Sequence, residues 1–477
     1  MIPLVLAKIA EITRGTLAGA PSREAIVTGP VTLDSRAAEP GALFAAFRGE
    51  RVDGHDFAAA AVAAGAVAAL VDRPVDQGVP VIMVDDVVAA LGRLARAVVD
   101  RLPEITTIGV TGSSGKTSTK DLLAHVTRRL GPTVAPTGSF NNEIGHPLTV
   151  LRADEDTRYL VLETSARGIG HIAYLTRIAP PHIGVVLNVG SAHIGEFGSR
   201  EVVARAKAEL VEALTPEGTA VLNSDDPLVR TMAARTPAKI VTFGRAPDAT
   251  VRATEEWLDE RGRARFSLVT PEGTAPVTLR LHGAHMVSNA LAVAATAREL
   301  GLPLSEIADA MSEATSVSRW RMEVSERADG LTVVNDAYNA NPESVRAALD
   351  ALRHMSRGRR SYAVLGGMAE LGAVSRQEHE KIGRYAAESG VSGLVVIGET
   401  AAPILVGAKQ VGSWTGECVQ VDDTAAAVTA LGERLRSRDV VLIKGSRVAG
   451  LEQVAQAVLD DGPDGGPGSG RESGAGA

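Results

Sequence analysis

The chain has 477 residues, with 49 lysines and arginines against 57 aspartates and glutamates, and therefore a formal net charge of −8. This acidic balance argues against a protein built mainly to grip nucleic acid. Apolar residues make up 45% and charged residues 22%, which excludes global disorder. Cys418 is the only cysteine, so an intramolecular disulfide and a multi-cysteine zinc or iron–sulfur site are excluded.

No export signal or membrane segment is recognisable in the sequence. The stretch MIPLVLAKIA has no charged region before its apolar part and no cleavage motif after it. The longest weakly apolar run, Ala58 to Val71, is rich in alanine and shorter than the roughly 20 residues that a bilayer requires. We therefore expect this run to form a buried helix in a cytoplasmic protein without membrane insertion.

Apolar strands and Ala-rich helices alternate along most of the chain, a pattern typical of α/β layers with parallel sheets. We predict a small α/β domain at 1–104, a P-loop ATPase-type parallel-sheet domain at 105–317 and a Rossmann-like domain at 318–460. Segment 461–477 is Gly-rich and polar, so we expect it to be disordered.

The predicted strands of the two larger domains are short apolar runs. An antiparallel extension of the central sheet is expected over 245–282. The central strands are Ile105–Val110, Tyr159–Leu162, Ile183–Asn188 and Thr219–Leu222, and the C-terminal ones are Leu331–Val334, Tyr362–Leu365, Leu394–Ile397 and Val440–Ile443.

A Gly-rich turn with a lysine follows the first central strand and precedes a helical stretch. It reads TGSSGKT, a shortened variant of the Walker pattern with Val110 where that pattern begins with glycine. Backbone N–H groups and a helix N-terminus in such a turn can hold phosphates. Lys116 can reach the terminal phosphates and Thr117 can offer a hydroxyl to Mg²⁺. The ATP-binding residues predicted here are Thr111, Gly112, Ser113, Ser114, Gly115, Lys116, Thr117 and Ser118.

Two further residues follow predicted strands at the edge of the sheet where ligands bind. Glu163 ends the strand that begins at Tyr159, and its carboxylate can hold the Mg²⁺ of a nucleotide. His193 lies in a Gly-rich loop after the next strand and could bind metal through a neutral imidazole. A solvated glutamate and an incidental loop histidine are the alternatives, and the sequence leaves both open.

Lys207 interrupts an apolar stripe on the helix predicted from Arg200 to Leu214. Val203, Lys207, Leu210, Val211 and Leu214 recur at three- and four-residue steps and therefore share one face. A lysine whose stem packs while its amine escapes to solvent would explain this placement. Only eight lysines occur in this arginine-rich chain, however, so a lysine with special chemistry near the metal is the other interpretation.

These residues resemble the Mur ligase family, the ATP-dependent amide-forming enzymes of peptidoglycan precursor synthesis. The phosphate loop, Glu163, His193 and Lys207 occur in the order and approximate spacing of that family, and the resemblance extends from Asp34 to Arg447. Further segments that carry it are DSR (34–36), FAAFRGERVDGHDF (44–57), SFNNEIGHPLT (139–149), HGAHMVSNALA (282–292), RWRME (319–323), NDAYNANPESV (335–345), LGGMAELG (365–372) and KGSR (444–447).

The resemblance implies roles for residues in all three domains. Catalytic roles fall to Lys116, Glu163, His193 and Lys207. It implies two Mg²⁺ ions, one held by Thr117 and Glu163 and the other by His193 and an N6-carboxylated Lys207. It further implies ATP contacts from Asn289, Arg321, Asp336 and Asn339, and substrate contacts from Asp34, Ser35, Arg36, Asn141, Asn142, Lys444 and Ser446.

The activity implied by the resemblance is ATP-dependent joining of D-alanyl-D-alanine to UDP-N-acetylmuramoyl-tripeptide, through an acyl phosphate, to give the pentapeptide. The expected partners are these small molecules alone, and we expect a monomer.

Two alternatives stay open: a ligase of the same superfamily with another substrate, and an ATP-binding protein that performs no ligation. Substrate competition separates the first, and nucleotide binding without amide formation identifies the second.

Overall fold

The computed structural model describes residues 1–19, 21–49, 52–76, 78–191 and 194–460. Its first part contains a five-stranded sheet in the order β2-β7-β6-β5-β4 and a separate pair of strands, β1 and β3. The elements are β1 (Leu4–Val5), α1 (Leu6–Thr13), β2 (Thr16–Ala18), β3 (Ile26–Val27), β4 (Val31–Thr32), β5 (Leu43–Ala45), α2 (Ala58–Ala63), β6 (Ala68–Val71), β7 (Val81–Met83) and α3 (Val87–Val99).

The prediction of one buried helix from Ala58 to Val71 is wrong. The helix α2 ends at Ala63, and the second half of the run is the buried central strand β6. Gly65 separates the two, with a φ of +117° and Pro40 so close that a Cβ would lie 2.8 Å from its nitrogen. Alanine is compatible with either element, so this glycine turn and the neighbouring strands decide the conformation.

The central part contains a nine-stranded sheet in the order β16-β15-β14-β13-β12-β11-β8-β10-β9. The strands from β14 to β16 pair antiparallel, as predicted for 245–282, and the others pair parallel. The elements are β8 (Thr106–Thr111), α4 (Lys116–Thr127), β9 (Thr133–Val134), α5 (Gly145–Val150), β10 (Tyr159–Glu163), α6 (His171–Ile178), β11 (Ile183–Val186), α7 (Ile194–Phe197), α8 (Arg200–Glu212), β12 (Thr219–Asn223), α9 (Pro227–Arg230), β13 (Lys239–Gly244), β14 (Val251–Leu258), β15 (Arg263–Thr270), β16 (Gly273–His282), α10 (His285–Glu299) and α11 (Leu304–Glu313).

The last part contains a six-stranded sheet in the order β17-β18-β22-β19-β20-β21. Only β17 runs antiparallel to its neighbour, so the sheet is the doubly wound type that the sequence predicts. The elements are β17 (Glu323–Glu326), β18 (Thr332–Asn335), α12 (Pro342–Met355), β19 (Ser361–Leu365), α13 (Ser375–Glu388), β20 (Gly393–Ile397), α14 (Pro403–Lys409), β21 (Glu417–Val421), α15 (Thr424–Gly432), β22 (Val440–Lys444) and α16 (Glu452–Asp460).

The first two parts of the chain share one apolar core. Leu91 and Leu94 of α3 pack in the same cluster as Leu160 and Leu162 of β10. The first part is therefore packed directly against the central part. The division of the chain at residues 104 and 317 stays a prediction.

The eight predicted strands all occur, with ends that differ by one or two residues. Helix α8 is also present, and the apolar stripe around Lys207 is buried as its periodicity predicts. Within the described ranges, no helix is both long enough and apolar enough to span a membrane. The predicted disordered segment 461–477 lies outside those ranges.

Candidate functional site

Three neighbouring parallel strands, β10, β8 and β11, bring their carboxyl ends to one edge of the nine-stranded sheet. Glu163 at the end of β10 is in register with Val110, and Val186 of β11 is in register with Thr111. The turn from Gly112 to Gly115 then leads from β8 into α4. The sheet order therefore places the predicted phosphate loop between the segment after Glu163 and the segment after Val186.

Thr117 and Glu163 lie in direct contact at this edge. The Thr117 hydroxyl donates to Oε2 of Glu163 at 3.0 Å, and the Asn141 amide donates to Oε1 at 2.6 Å. Ser139, which the sequence did not single out, has its hydroxyl 2.9 Å from that of Thr117. Glu163 is only 1% exposed. A buried carboxylate beside a hydroxyl is a donor set that suits Mg²⁺.

The phosphate loop is closed on one side by α10. Gly115 has a φ of +79°, and a Cβ there would lie 2.5 Å from Oδ1 of Asn289. Glycine is therefore required for two reasons, the left-handed backbone and the space that Asn289 occupies. Lys116 donates to the Gly112 carbonyl at 2.8 Å, and burial lowers the pKa of its amine.

Asn188 holds the other side of the loop, a role that sequence reasoning missed. Its Oδ1 accepts from the backbone nitrogens of Ser113 and Ser114, both at 3.0 Å, and its amide donates to the Ser114 carbonyl. The sequence feature that could have indicated this role is an asparagine just beyond the parallel strand next to the phosphate loop. It fixes the loop with an uncharged group, which leaves the backbone around Gly115 free for an anion.

Helix α8 packs directly on β8, because a Cβ at Gly109 would lie 2.7 Å from Leu210. A crossover helix runs antiparallel to its strands, so Lys207, one turn before Leu210, lies nearer to the phosphate-loop edge. Lys207 is 5% exposed and makes no hydrogen bond or ion pair with any of the described residues. Burial, helped by the charge of Lys116, holds the pKa of its amine well below the ordinary value.

His193, the predicted partner of Lys207, lies outside the described residues. Over the ranges that are described, no three His, Cys, Asp or Glu side chains converge as a metal centre would require. The metal donors that are seen together are those of Thr117 and Glu163.

Glu209, two residues after Lys207, is a buried carboxylate that the sequence analysis also missed. It accepts from the backbone nitrogens of Gly170 at 2.6 Å and Ala173 at 2.9 Å, at the start of α6. A carboxylate at this position satisfies N–H groups that have no partner within α6. It therefore joins α8 to the segment that follows Glu163.

Arg321 reaches from the third domain to the phosphate loop. Its Nη2 lies 3.1 Å from the Thr117 hydroxyl and 3.2 Å from that of Ser139, and its guanidinium stacks on the Tyr338 ring, 4.1 Å from the centroid. Both neighbours of Arg321 have left-handed backbones, with φ of 59° at Trp320 and 48° at Met322. Strain of this kind in non-glycine residues persists only where the surroundings enforce it, and it often marks a functional site.

Lys444 and Ser446, predicted together as substrate contacts, face different surroundings. The buried Lys444 amine contacts Asp336 Oδ2 at 2.6 Å and donates to the Asn339 carbonyl at 2.8 Å. Burial lowers the pKa of this amine, and the charge of Asp336 opposes the shift. Ser446 accepts from the Ala369 nitrogen at 2.8 Å. Lys444 therefore holds Asp336 in place, and Lys444 and Ser446 border different cavities.

Two cavities meet at the phosphate loop, between the central and third domains. The first, about 330 Å³, is lined by Asn289, His285, Asp336 and Lys444. The second, about 420 Å³, is lined by Lys116, Glu163, Asn142, Asn339 and Ser446. Arg321 and residues 114, 115 and 118 border both. Predicted nucleotide, metal and substrate residues thus line two adjoining cavities that share the phosphate loop.

The residues predicted to bind substrate in the first domain line neither of these cavities. Asp34 caps the short turn at Ser35 and pairs with the exposed Arg36 through two contacts, 2.9 and 2.7 Å long. This pair holds the pKa of the Asp34 carboxyl down, at about 2. The structure leaves the guanidinium of Arg36 open to solvent.

Comparison with known proteins gives three consecutive family matches. Residues 30–99 match a "Mur ligase family, catalytic domain", residues 110–297 a "Mur ligase middle domain" and residues 320–447 a "Mur ligase, glutamate ligase domain". The chain is 49% identical to the UDP-N-acetylmuramoyl-tripeptide--D-alanyl-D-alanine ligase of Mycobacterium tuberculosis strain H37Rv, over 97% of this chain and 98% of that protein. The chain belongs to the Mur ligase family.

Solved structures of Mur ligases extend this likeness to three dimensions. A crystal structure of MurF from Acinetobacter baumannii aligns with a TM-score of 0.85 at 32% identity, over 96% of this chain and 99% of that chain. MurF ligase from Thermotoga maritima, solved in complex with ADP, aligns with a TM-score of 0.78 at 30% identity, over 91% of this chain and 98% of that chain. The three-domain Mur ligase architecture is therefore shared over 96% of this chain.

Proposed function

We propose that this chain is an ATP-dependent ligase that joins D-alanyl-D-alanine to UDP-N-acetylmuramoyl-tripeptide and releases ADP and phosphate. The supporting observation is the contact between Thr117 and Glu163 beside a phosphate loop, in a chain 49% identical to a protein named for this reaction. The M. tuberculosis relative is matched over almost its entire length, which supports the whole reaction rather than nucleotide binding alone.

The reaction has two chemical steps. The terminal carboxylate of the tripeptide attacks the γ-phosphorus of ATP, which forms an acyl phosphate and releases ADP. The amine of D-alanyl-D-alanine then attacks the acyl carbon, the C–O bond to phosphate breaks, and the nitrogen loses a proton. A free carboxylate and a protonated amine do not condense readily, so phosphorylation supplies the leaving group.

The chain's own residues act on this chemistry mainly by position and charge. Gly112, Gly115 and Lys116 hold the phosphates of the nucleotide, and Asn289 lies on the adenine side of the loop. Arg321 brings a second positive charge from the third domain to the same place. Asn141 and Asn142 contact the peptide substrate, with Ser446 as a further contact from the third domain.

Mg²⁺ fits the donors that the structure brings together, and we propose two sites. Thr117 and Glu163 would hold one ion. His193 and an N6-carboxylated Lys207 would hold the other, since a carbamate replaces a buried ammonium by an anionic oxygen ligand. Bound Mg²⁺ supplies positive charge that offsets repulsion between the carboxylate and the phosphates. The buried amine of Lys207 supports this assignment, because burial lowers its pKa and thereby favours the neutral form that reacts with CO₂.

Phosphate release from ATP with UDP-N-acetylmuramoyl-tripeptide, measured with and without D-alanyl-D-alanine, tests the proposal. We expect release that depends on the dipeptide and a pentapeptide product identified by mass. A Lys116→Ala variant is the matched control for contaminating ATPase. Release without any dipeptide dependence would contradict the assigned amine, and amino acids would then be screened in its place.

Three further assignments accompany the proposed function. We assign the enzyme to the cytoplasm, where the nucleotide and UDP-linked substrates occur, and we assign it as a monomer. We place the domain boundaries after residues 104 and 317. Sedimentation of the full chain tests the oligomeric state, and limited proteolysis tests the boundaries.

A further inference from the structure

Glu343 of the third domain holds a loop of the central domain. It lies in the first turn of α12, and its Oε1 accepts from both the backbone nitrogen and the hydroxyl of Ser191, each at 2.8 Å. The two residues are 152 positions apart in the sequence. Hydrogen bonds to an ionised carboxylate are stronger than those between neutral groups, and the N-terminus of α12 favours the charge.

Gly190 provides the space for this carboxylate. A Cβ at Gly190 would lie 2.7 Å from Cδ of Glu343 and 3.0 Å from each of its oxygens. The backbone nitrogen of Gly190 donates to the Ser113 hydroxyl at 2.8 Å. The loop is therefore held between the phosphate loop on one side and Glu343 on the other. We call Gly190, Ser191 and Glu343 the interdomain clasp.

A second contact from the same helix start supports the clasp. Asn341 caps α12, and its amide donates to the Ser113 carbonyl at 3.3 Å. The N-terminus of α12 thus touches both the phosphate loop and the loop that follows β11. Movement of the third domain would change both contacts together.

The other oxygen of Glu343 is left unsatisfied. Oε2 is shielded from solvent and has no hydrogen-bond partner among the described residues. Glu343 nevertheless borders the first of the two cavities at the phosphate loop, the one lined by Asn289. Leaving a buried polar atom unpaired costs free energy, which offsets part of what the two hydrogen bonds to Oε1 contribute.

We propose that Glu343 is a positioning residue that couples docking of the third domain to the geometry of loop 189–191. Ser191 lies two residues before His193 in the sequence, so the clasp anchors the segment that leads into the predicted metal ligand. Glu343 itself is assigned no contact with the reacting atoms. The expected effect of Glu343 on the ligation rate rests on the proposed function, whereas the contact between Glu343 and Ser191 does not depend on it.

Hydrogen exchange of the full chain tests the contact without any substrate. In Glu343→Ala, we expect exchange at the Ser191 amide to be about tenfold faster, because its charged acceptor is gone. The Leu228 amide, outside loop 189–191, donates to Asp226 and serves as an internal control that stays at the wild-type rate. Asp350→Asn is the matched variant, since Asp350 lies on the same helix and accepts from Tyr385 within the third domain. An unchanged Ser191 rate in Glu343→Ala would overturn the clasp.

Steady-state kinetics test the coupling. We expect Glu343→Ala and Gly190→Ala each to lower kcat about tenfold with a KM for the UDP substrate within about twofold, and the double variant to lose no more than either single one. Independent losses that multiply in the double variant, or an unchanged kcat with faster exchange, would overturn the positioning role. If the wild type forms no pentapeptide product, the proposed function fails, and the exchange result still decides whether the contact exists.

Discussion

The hydroxyl of Thr117 and the carboxylate of Glu163 lie 3.0 Å apart, although 46 residues separate them in the chain. The contact exists because β8 and β10 are neighbours in register, so that both strands end at the same level. Asn141 holds the remaining carboxylate oxygen. Glu163 is thereby fixed in one orientation before any substrate binds, which is the preorganisation that electrostatic catalysis requires.

Replacing Glu163 by glutamine removes the charge and keeps the shape. For Glu163→Gln we expect kcat to fall about 100-fold or more and the Mg²⁺ concentration for half-maximal activity to rise, because a neutral amide is a poor Mg²⁺ ligand. Phosphate release across a magnesium series measures both effects. Glu306→Gln, an exposed position on α11, is the control. Wild-type magnesium dependence in Glu163→Gln would refute the assignment.

Carboxylation of Lys207 is open to direct observation. With isotope-labelled bicarbonate, we expect a protein-bound carbamate carbon in the NMR spectrum of the wild type that is absent from Lys207→Ala. The reason is that burial lowers the pKa of the Lys207 amine, which favours the neutral form, and only a neutral amine adds to CO₂. Lys239→Ala changes an exposed lysine paired with Glu299 and should retain the signal. A signal that survives in Lys207→Ala would assign the carbamate elsewhere.

Lys120 is a buried lysine of α4 to which the reaction gives no role. Its amine contacts Asp121 at 2.5 Å and donates to the Pro136 carbonyl at 2.6 Å, which fixes the segment leading to Ser139. Lys120→Met leaves both acceptors unpaired, so we expect the free energy of unfolding to fall by about 3 kcal/mol. The exposed pair of Lys8 and Glu11 gives the matched control, because Lys8→Met should cost about 0.5 kcal/mol at most. Equal losses in the two variants, measured by urea unfolding, would contradict this account.

His146 makes stability depend on pH. The ring is 1% exposed, and burial lowers the pKa of His146 from 6.5 to about 4. Between these two pH values the unfolded chain is protonated at this histidine while the native ring stays neutral. The contribution of His146 to the free energy of unfolding is therefore fully present above pH 6.5 and is lost as the pH falls through about 4. The loss from this group is about 3 kcal/mol.

Urea unfolding at a series of pH values checks the His146 prediction. We expect the free energy of unfolding of His146→Leu to fall less steeply than that of the wild type between pH 6.5 and 4. His171→Asn, which changes an exposed histidine, should follow the wild-type curve. Parallel curves for His146→Leu and the wild type would show that the ring is already protonated in the native state.

Features that depend on local order could be predicted from the amino-acid sequence. The turn TGSSGKT between a strand and a helix predicted the phosphate loop, and the three- and four-residue steps around Lys207 predicted its buried face. Both signals lie within a few turns of chain, where periodicity and glycine placement dictate conformation. The run from Ala58 to Val71 shows the limit, because alanine fits a helix and a strand equally well.

Which distant residues meet depends on the order of the strands and on how the domains pack. Sheet order brought Glu163 to Thr117, and docking of the third domain brought Arg321 to Thr117 and Glu343 to Ser191. The Lys444 amine contacts Asp336 because β18 and β22 are neighbours, and its predicted substrate contact stays a prediction. Such pairings depend on crossovers and on packing between domains, and no periodicity in the chain records them.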